Sequence, residues 1–513
     1  MFAALEGRRF DLLVIGGGIT GAGIARDAAM RGLSVAIVDK GDWGSGTSSR
    51  SSRLVHGGIR YLEHGEIALV RESVRERAVL MRIAPHLVKP LEFTWPVYRG
   101  ARLPRWKLRA GLALYDVLAG SRGSRKHHGL DIESIVEHEP MLRRDGLVGG
   151  ATYHDAATDD VRLTLANVLS AVEHGAVAVN YARVVSATSS GRRVDGAVVR
   201  DGLGDGEVRV SARVTVSATG PWQAKGTKGV HITVPAERVG NRGAVTMVNP
   251  VDGRVMFVLP SGMQTIVGTT DTFTDAVPDE VRASEADVEY LLAAANSYFP
   301  DAMLVEEDVI AAWAGIRPLA AASSGADPSE ISREHRIAED APGVITVSGG
   351  KLTTYRSMAA EVVDEAVKLL GSGKVGGVAG GASELTGVFT TEEPLPGEDR
   401  RQRVGGMAKS DPVLRRGLVY GLPYTLGDVE FAVRHEMSVT VGDVLVRRTH
   451  VAFETRDHGI GVAGAVAGFI APILGWSEIE ETAHVELYAA GSEADICDRR
   501  CVCLTGRARE APY

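Results

Sequence analysis

The chain has 513 residues, is 44% hydrophobic and 24% charged, and carries a formal net charge of −8. That length supports two or three domains with real cores, the composition is that of an ordinary soluble globular protein, and the acidic balance argues against a general nucleic-acid surface. No apolar run suits a bilayer crossing, Met1–Phe10 is too short and too charged for a secretory signal, and Cys497, Cys501 and Cys503 lie together near the end with no histidine cluster beside them, so a reducing cytoplasm with neither a disulfide framework nor a metal site is expected.

Leu12–Ile15 reads as a buried parallel strand. Gly16, Gly18 and Gly21 follow at once in a G-x-G-x-x-G spacing, and Ala22–Arg31 continues as a helix that ends at Gly32. A second strand, Val35–Val38, stops at Asp39, 18 residues after Gly21. Gly16 permits the turn, Gly18 lets backbone approach a pyrophosphate, and Gly21 lets helix and strand pack closely. The N–H groups around Ile19 and Thr20 offer the positive end of the helix to phosphates. Asp39 can accept from ribose hydroxyls. The glycine spacing recurs at Gly371, Gly373 and Gly376, but there it follows a helix inside a glycine-rich stretch and reads as a linker.

Glu66–Met81 reads as a helix with a salt-bridge-laced face. Residues 90–150 are mixed and basic. A helix over Asp159–His174 is capped by Asp159 or Asp160, and a strand at Ala176–Val179 and a hairpin through Arg183–Asp201 come next. Val214–Thr219 is a strand ending in a turn at Gly220, which returns the chain to the nucleotide sheet. Short strands at Val245–Val248, Val255–Leu259 and Thr265–Gly268, then a helix near 284–298, predict a second, antiparallel-rich domain. The strand Val344–Val347, the turn Gly349-Gly350-Lys351 and a helix over Thr353–Leu370 return to the first domain. Residues 395–490 are helical with no legible chemistry, and the last 20 residues look irregular. Two glycine turns of this kind, with an acid at the right distance from the first, point to one large flavin cofactor held by both ends of a discontinuous domain.

These blocks resemble the FAD-dependent glycerol-3-phosphate dehydrogenases. The match runs through Ile15-Gly16-Gly17-Gly18 to Arg31-Gly32, through Thr47–Glu63, through Ala314–Leu319, and through Gly349-Gly350-Lys351 to Tyr355-Arg356. The resemblance is strong over residues 10–370 and weak over the helical tail. It implies an α/β architecture: a Rossmann-like FAD-binding domain of the D-amino-acid-oxidase type, an antiparallel-sheet substrate domain and a helical C-terminal domain. The expected partition is 1–90, 150–225 and 331–385 for FAD, 91–149 and 226–330 for the substrate cap, and 395–495 for the helical domain. The implied reaction is oxidation of sn-glycerol 3-phosphate to dihydroxyacetone phosphate, with hydride to the flavin N5 and electrons passed on to a membrane quinone. The implied FAD is non-covalent, even beside His56.

Such a reaction needs a base near the hydroxyl and cations for a dianionic phosphate. Arg317 sits among apolar residues in Gly315-Ile316-Arg317-Pro318, where a charge is expected to face a buried partner or the substrate. Lys351 follows two glycines before a helix, a place from which it can reach flavin or phosphate. Arg60 and Tyr61 line the substrate pocket by resemblance. His231 lies in the apolar strand Val230–Val234, where a lone histidine is ordinarily a core residue; the resemblance makes it the base or a substrate contact. Thr269 and Thr270 are further candidates for hydroxyl contacts, against a plain turn capped by Asp271. The expected FAD contacts include Lys40, Thr47, Ser48, Ser49 and Ser52 after the second strand, Gly57 and Gly58, Gly220, and Gly349, Gly350, Lys351, Leu352 and Thr353 at the second turn.

Between Arg99 and Lys126 there are eight basic residues and one acid, Asp116, interleaved with Trp106 and several leucines. A basic stretch with an indole suits an anionic lipid interface, so peripheral contact with the cytoplasmic face of the membrane is expected; a solvated basic helix face is the alternative. Two other functions share the fold. An oxygen-using glycerol-3-phosphate oxidase tends to carry a long central insertion, whereas only 18 residues separate Arg317 from Arg336. An amine or amino-acid oxidase needs no phosphate clamp. The oligomeric state is not legible.

Overall fold

The structure is a computed structural model that describes residues 2–63, 65–120, 125–220, 226–318, 335–371 and 389–491. Arg122, the linker from 372 onward and the cysteine-bearing tail lie outside the described residues.

The strand Arg9–Ile15 has parallel neighbours on both sides: Val35–Val38, with Leu12 opposite Val35, and Glu207–Ser217, with Leu13 opposite Thr215. The sheet runs His335–Ala341, Val344–Gly349, Glu207–Ser217, Arg9–Ile15, Val35–Val38, Val177–Val179, and the hairpin Ala182–Ser190 and Arg193–Asp201 adds to the outer length of Glu207–Ser217. A strand buried on both faces needs covering twice. The helices Ile19–Met30, Asp160–Glu173 and Tyr355–Leu370 bury Val14, Ile24, Val168 and Val362 on one face. The hairpin and the short 3-10 turn Phe2–Leu5 bury Leu13, Val38, Val199 and Val210 on the other. Asp159 caps the second of those helices by accepting from the Arg162 N–H.

Among the described residues the second sheet has ten strands and is antiparallel except where Ala244–Val248 meets Lys89–Tyr98. The strand Leu147–Ala157, which a boundary at 150 would cut, lies wholly in this sheet, because it ladders with Lys89–Tyr98 from Lys89↔Ala157 to Tyr98↔Leu147. Leu54–Val55 joins it at the edge. Cross-strand pairing over ten residues keeps this strand whole across the expected boundary at 150.

The C-terminal helices, including Leu426–His435 and Ile460–Leu474, share one core with the second sheet: Val429, Val466, Ile470 and Phe453 pack with Phe93, Trp95 and Tyr153. Their contacts with the first domain include buried ion pairs and hydrogen bonds. Arg447 and Arg448 reach Asp42 at 2.6 and 2.7 Å, Arg162 reaches Glu436 at 2.5 Å, and His450 reaches Asp159 at 2.7 Å. Removing one partner from a buried pair such as Asp42–Arg448 costs roughly 3–5 kcal/mol, because the other charge is left uncompensated.

Candidate functional site

A cavity of about 880 Å³ runs from the C-terminal ends of Arg9–Ile15 and Val35–Val38 to the second sheet. It begins at the first glycine turn. Gly16 has φ +109°, and a Cβ there would stand 2.5 Å from the Ala218 carbonyl. A Cβ on Gly21 would be 1.8 Å from the Gly16 carbonyl, so Gly21 sets the helix–turn packing and does not line the cavity. Gly18 and Thr20 do line it, and the Ile19 N–H donates to Ser48 Oγ at 2.9 Å. Asp39 accepts from the N–H groups of Gly17 and Gly41 at 2.5 and 2.8 Å. Burial pushes its carboxyl up to about 6, against those two hydrogen bonds. Lys40 pairs with Asp279, and Thr47 Oγ1 donates to the Ile316 carbonyl at 2.8 Å; both also face the cavity. Ser49 does not: it is buried and donates to Gly46.

The second glycine turn closes the other side. Gly349 and Gly350 have φ +75° and +86°, and Gly220 has φ +73°; all three line the cavity with Leu352 and Thr353. Thr353 Oγ1 is clasped to His56, accepting from its N–H and donating to its carbonyl, both at 3.1 Å. The Lys351 ammonium stands 3.7 Å from the centre of the Tyr61 ring, and the Arg60 guanidinium 5.4 Å from it. Gly58 lines the cavity at φ +73°, but Gly57 does not. Gly57 donates to Asp155 at 3.0 Å, and a Cβ on it would meet the Tyr115 hydroxyl at 2.2 Å. Asp155 is in turn ion-paired with Arg77 and accepts from Tyr115 at 2.7 Å. This buried triad supports the His56-Gly57 backbone, and sequence reasoning missed it, since its members lie on three separated elements. Burial, with Lys351 and Arg60 nearby, lowers the His56 imidazole to about 4.

The polar end is built on the second sheet. Gly226–Pro235 places His231 opposite Gly268 on one side and Trp313 on the other. Bare glycine at 268 leaves the space: a Cβ there would lie 2.1 Å from the imidazole. His231 stacks on Trp313 at 5.2 Å and 12°, and its Nε2 lies 2.7 Å from Ser52 Oγ. Its Nδ1 has no hydrogen-bond partner among the described residues. Burial, then the Arg317 and Arg53 charges, lower it to about 3, so the ring is neutral. Arg317 donates to Asp271 at 3.0 Å and to Thr269 Oγ1 at 2.9 Å. Thr270 is turned away: buried outside the cavity, it accepts from the Val230 N–H at 3.0 Å. Asp271 was legible only as a turn residue, yet it orients Arg317, and Arg254 joins it through its carbonyl at 3.0 Å.

The donor set suits a long dinucleotide. Gly17 and Gly18 leave a bare backbone cradle, where a Cβ would meet Trp43 at 2.4 Å and Ser48 Oγ at 3.2 Å. Asp39 and Lys351 both line the cavity. Residues 11–360 match the family described as FAD dependent oxidoreductase, and residues 399–481 match the C-terminal domain of alpha-glycerophosphate oxidase. The chain is 36% identical to glycerol-3-phosphate dehydrogenase 2 of Mycobacterium tuberculosis, over 95% of this chain and 89% of that one. It is 34% identical to the aerobic glycerol-3-phosphate dehydrogenase of Bacillus subtilis, over 95% of each.

The chain belongs to the FAD-dependent glycerol-3-phosphate dehydrogenase family. The solved glycerol-3-phosphate dehydrogenase of Bacillus halodurans, complexed with FAD, superposes with a TM-score of 0.74 at 31% identity and 97% coverage of both chains. A Geobacillus kaustophilus glycine oxidase, 22% identical with a TM-score of 0.55 over 70% of this chain, shares the fold. Against that family, the second match gives the helical C-terminal region a place in the architecture that its sequence pattern alone did not. Among the described residues no group of His, Cys, Asp and Glu could hold a metal ion, and no helix is long and apolar enough to cross a membrane.

Proposed function

We propose that this chain oxidises the secondary hydroxyl of sn-glycerol 3-phosphate to the ketone of dihydroxyacetone phosphate and delivers the electrons to a membrane quinone. The observation that carries the reading is the convergence of Arg317, Lys351 and Arg60 with a neutral histidine on one cavity. FAD, when bound, accepts the carbon-bound hydrogen with its electron pair. Gly16, Gly18, Ser48 and Asp39 would hold its nucleotide end, and Gly349, Gly350 and Thr353 its flavin end.

Arg317 is preset for an anion. Asp271 and Thr269 hold its guanidinium fork, so little side-chain entropy is lost when a phosphate docks. His231 takes the hydroxyl proton. Burial, with the Arg317 and Arg53 charges nearby, makes it a poor base, and a dianionic phosphate at Arg317 would offset part of that charge and raise its proton affinity. Substrate binding thereby makes it a better base.

Delivery to quinone requires contact with the membrane, where this chain sits peripherally on the cytoplasmic side in our reading. Support comes from the helix Arg105–Ala119, which turns Leu108, Leu112 and Tyr115 inward. Its outer face carries Trp106 at 68% exposure, Leu114, and Val117 at 75%, flanked by Lys107 and Arg109. Such a stripe suits an anionic interface. Two of the basic residues are otherwise engaged: Arg105 donates to the carbonyls of Val148 and Leu130, and Arg102 pairs with Glu63.

The test is an anaerobic absorbance spectrum before and after sn-glycerol 3-phosphate. Bleaching of the long-wavelength flavin band by this substrate, and not by glycerol or an amino acid, is the expected result. A flavin band that does not bleach sinks the substrate assignment.

A further inference from the structure

The loop after the second strand carries Asp39, and three residues later Asp42, which lines the same cavity, pairs with two arginines of the C-terminal domain. Asp42 is fully buried between Arg447 and Arg448. Arg448 grips both its oxygens, at 2.7 and 2.9 Å, and also donates to the Glu436 carbonyl. Arg447 adds 2.6 Å contacts to Asp42 and Asp443. Two consecutive arginines face the same acid because Asp443–Arg448 is a π turn, which widens the helix by one residue and splays neighbours onto a common side.

The next residue transmits the grip. Trp43 is fully buried, and its indole N–H points at the Met437 sulfur of the C-terminal domain at 3.3 Å. Its ring lies against Gly17, where a Cβ would come within 2.4 Å of it. The Gly44 N–H donates to the Gly17 carbonyl at 2.9 Å, and the Gly17 N–H donates to Asp39 at 2.5 Å. Arginine pair, Asp42, Trp43, Gly17 and Asp39 thus form one continuous packed and hydrogen-bonded path from the C-terminal domain to the phosphate turn and the ribose acceptor. Arg447 also lines the cavity wall itself.

We propose that the C-terminal helical domain is a cofactor-retention clamp, in which Arg447 and Arg448 act as positioning residues for the FAD nucleotide end through Asp42 and Trp43. The proposal rests on reading this cavity as the FAD site and is independent of the substrate.

The experiment is FAD retention, measured as the dissociation constant from flavin fluorescence on purified holoenzyme. Folding is checked by circular dichroism, and turnover is measured at saturating FAD. R448M and D42N each weaken FAD binding about tenfold or more, with turnover at saturating FAD close to wild type. E436Q is the control. It removes a buried charge that pairs with Arg162 and Arg400, equally central to docking the domain, but it leaves the Asp42 grip in place. It changes FAD binding by less than about twofold. Should R448M fail to fold, R447K keeps a cation beside Asp42 and still weakens FAD by about threefold. Unchanged retention in the folded variants, or an equal loss in E436Q, overturns the proposal. A wild-type protein that holds no flavin at all would instead overturn the FAD reading beneath it.

Discussion

Ser52 Oγ and His231 Nε2 stand 2.7 Å apart, joining the loop that follows the nucleotide strands to Gly226–Pro235, a strand near one edge of the second sheet. That contact, with the stacking on Trp313, holds the ring position of the proposed base, and either atom can be the donor. The serine sits among residues expected to contact FAD, but its observed partner is the histidine.

The substitution S52A should lower kcat about tenfold with little change in KM, the usual scale for misplacing a general base. FAD content should match wild type. A variant that loses FAD and keeps its turnover when FAD is resupplied would return Ser52 to the cofactor set.

Gly229 supplies the room for Arg317. A Cβ at 229 would lie 2.4 Å from the guanidinium, the movable end of a long side chain, so G229A should fold and displace the arginine. We expect KM for sn-glycerol 3-phosphate to rise about tenfold or more, by loss of one bidentate anion contact. Steady-state kinetics with unchanged KM would remove Arg317 from phosphate binding.

His231 also sets a pH dependence of stability. Its folded value, about 3, lies below the unfolded value of 6.5, so the unfolded chain binds the extra proton between those limits. Stability is full above pH 6.5 and falls as pH drops toward 3, at up to about 1.4 kcal/mol per pH unit from this one group. Urea unfolding at pH 7 and pH 5 should show the slope in wild type and a shallower one in H231N. Equal slopes would mean that the imidazole is not held neutral.

The outer stripe of Arg105–Ala119 predicts where membrane contact is lost. The triple variant W106S/K107E/V117S should shift from sedimenting with anionic vesicles to the supernatant, while activity with a soluble dye acceptor persists. R105E is a poor test of the same idea, because Arg105 holds two backbone carbonyls and its loss disturbs packing. Undiminished sedimentation of the triple variant would sink the interface reading.

Local rules on one stretch of chain were enough for much of this. The strand–glycine–helix order around Gly16, the acid at Asp39, the second turn at Gly349 and the cap at Asp159 each depend on residues close in sequence, so fold class, cofactor and family were legible before any coordinates. What only tertiary structure decided involves partners brought together from distant segments. Arg317 depends on Asp271 and on the absence of a side chain at Gly229; His231 depends on Ser52 and Trp313; Asp42 depends on a π turn some 400 residues later. Periodicity and spacing cannot encode such pairs, because each is fixed by the register of sheets and the docking of domains. Ser49, Gly57 and Thr270 show the converse: sequence put them beside the site, and backbone geometry turned them into its supports.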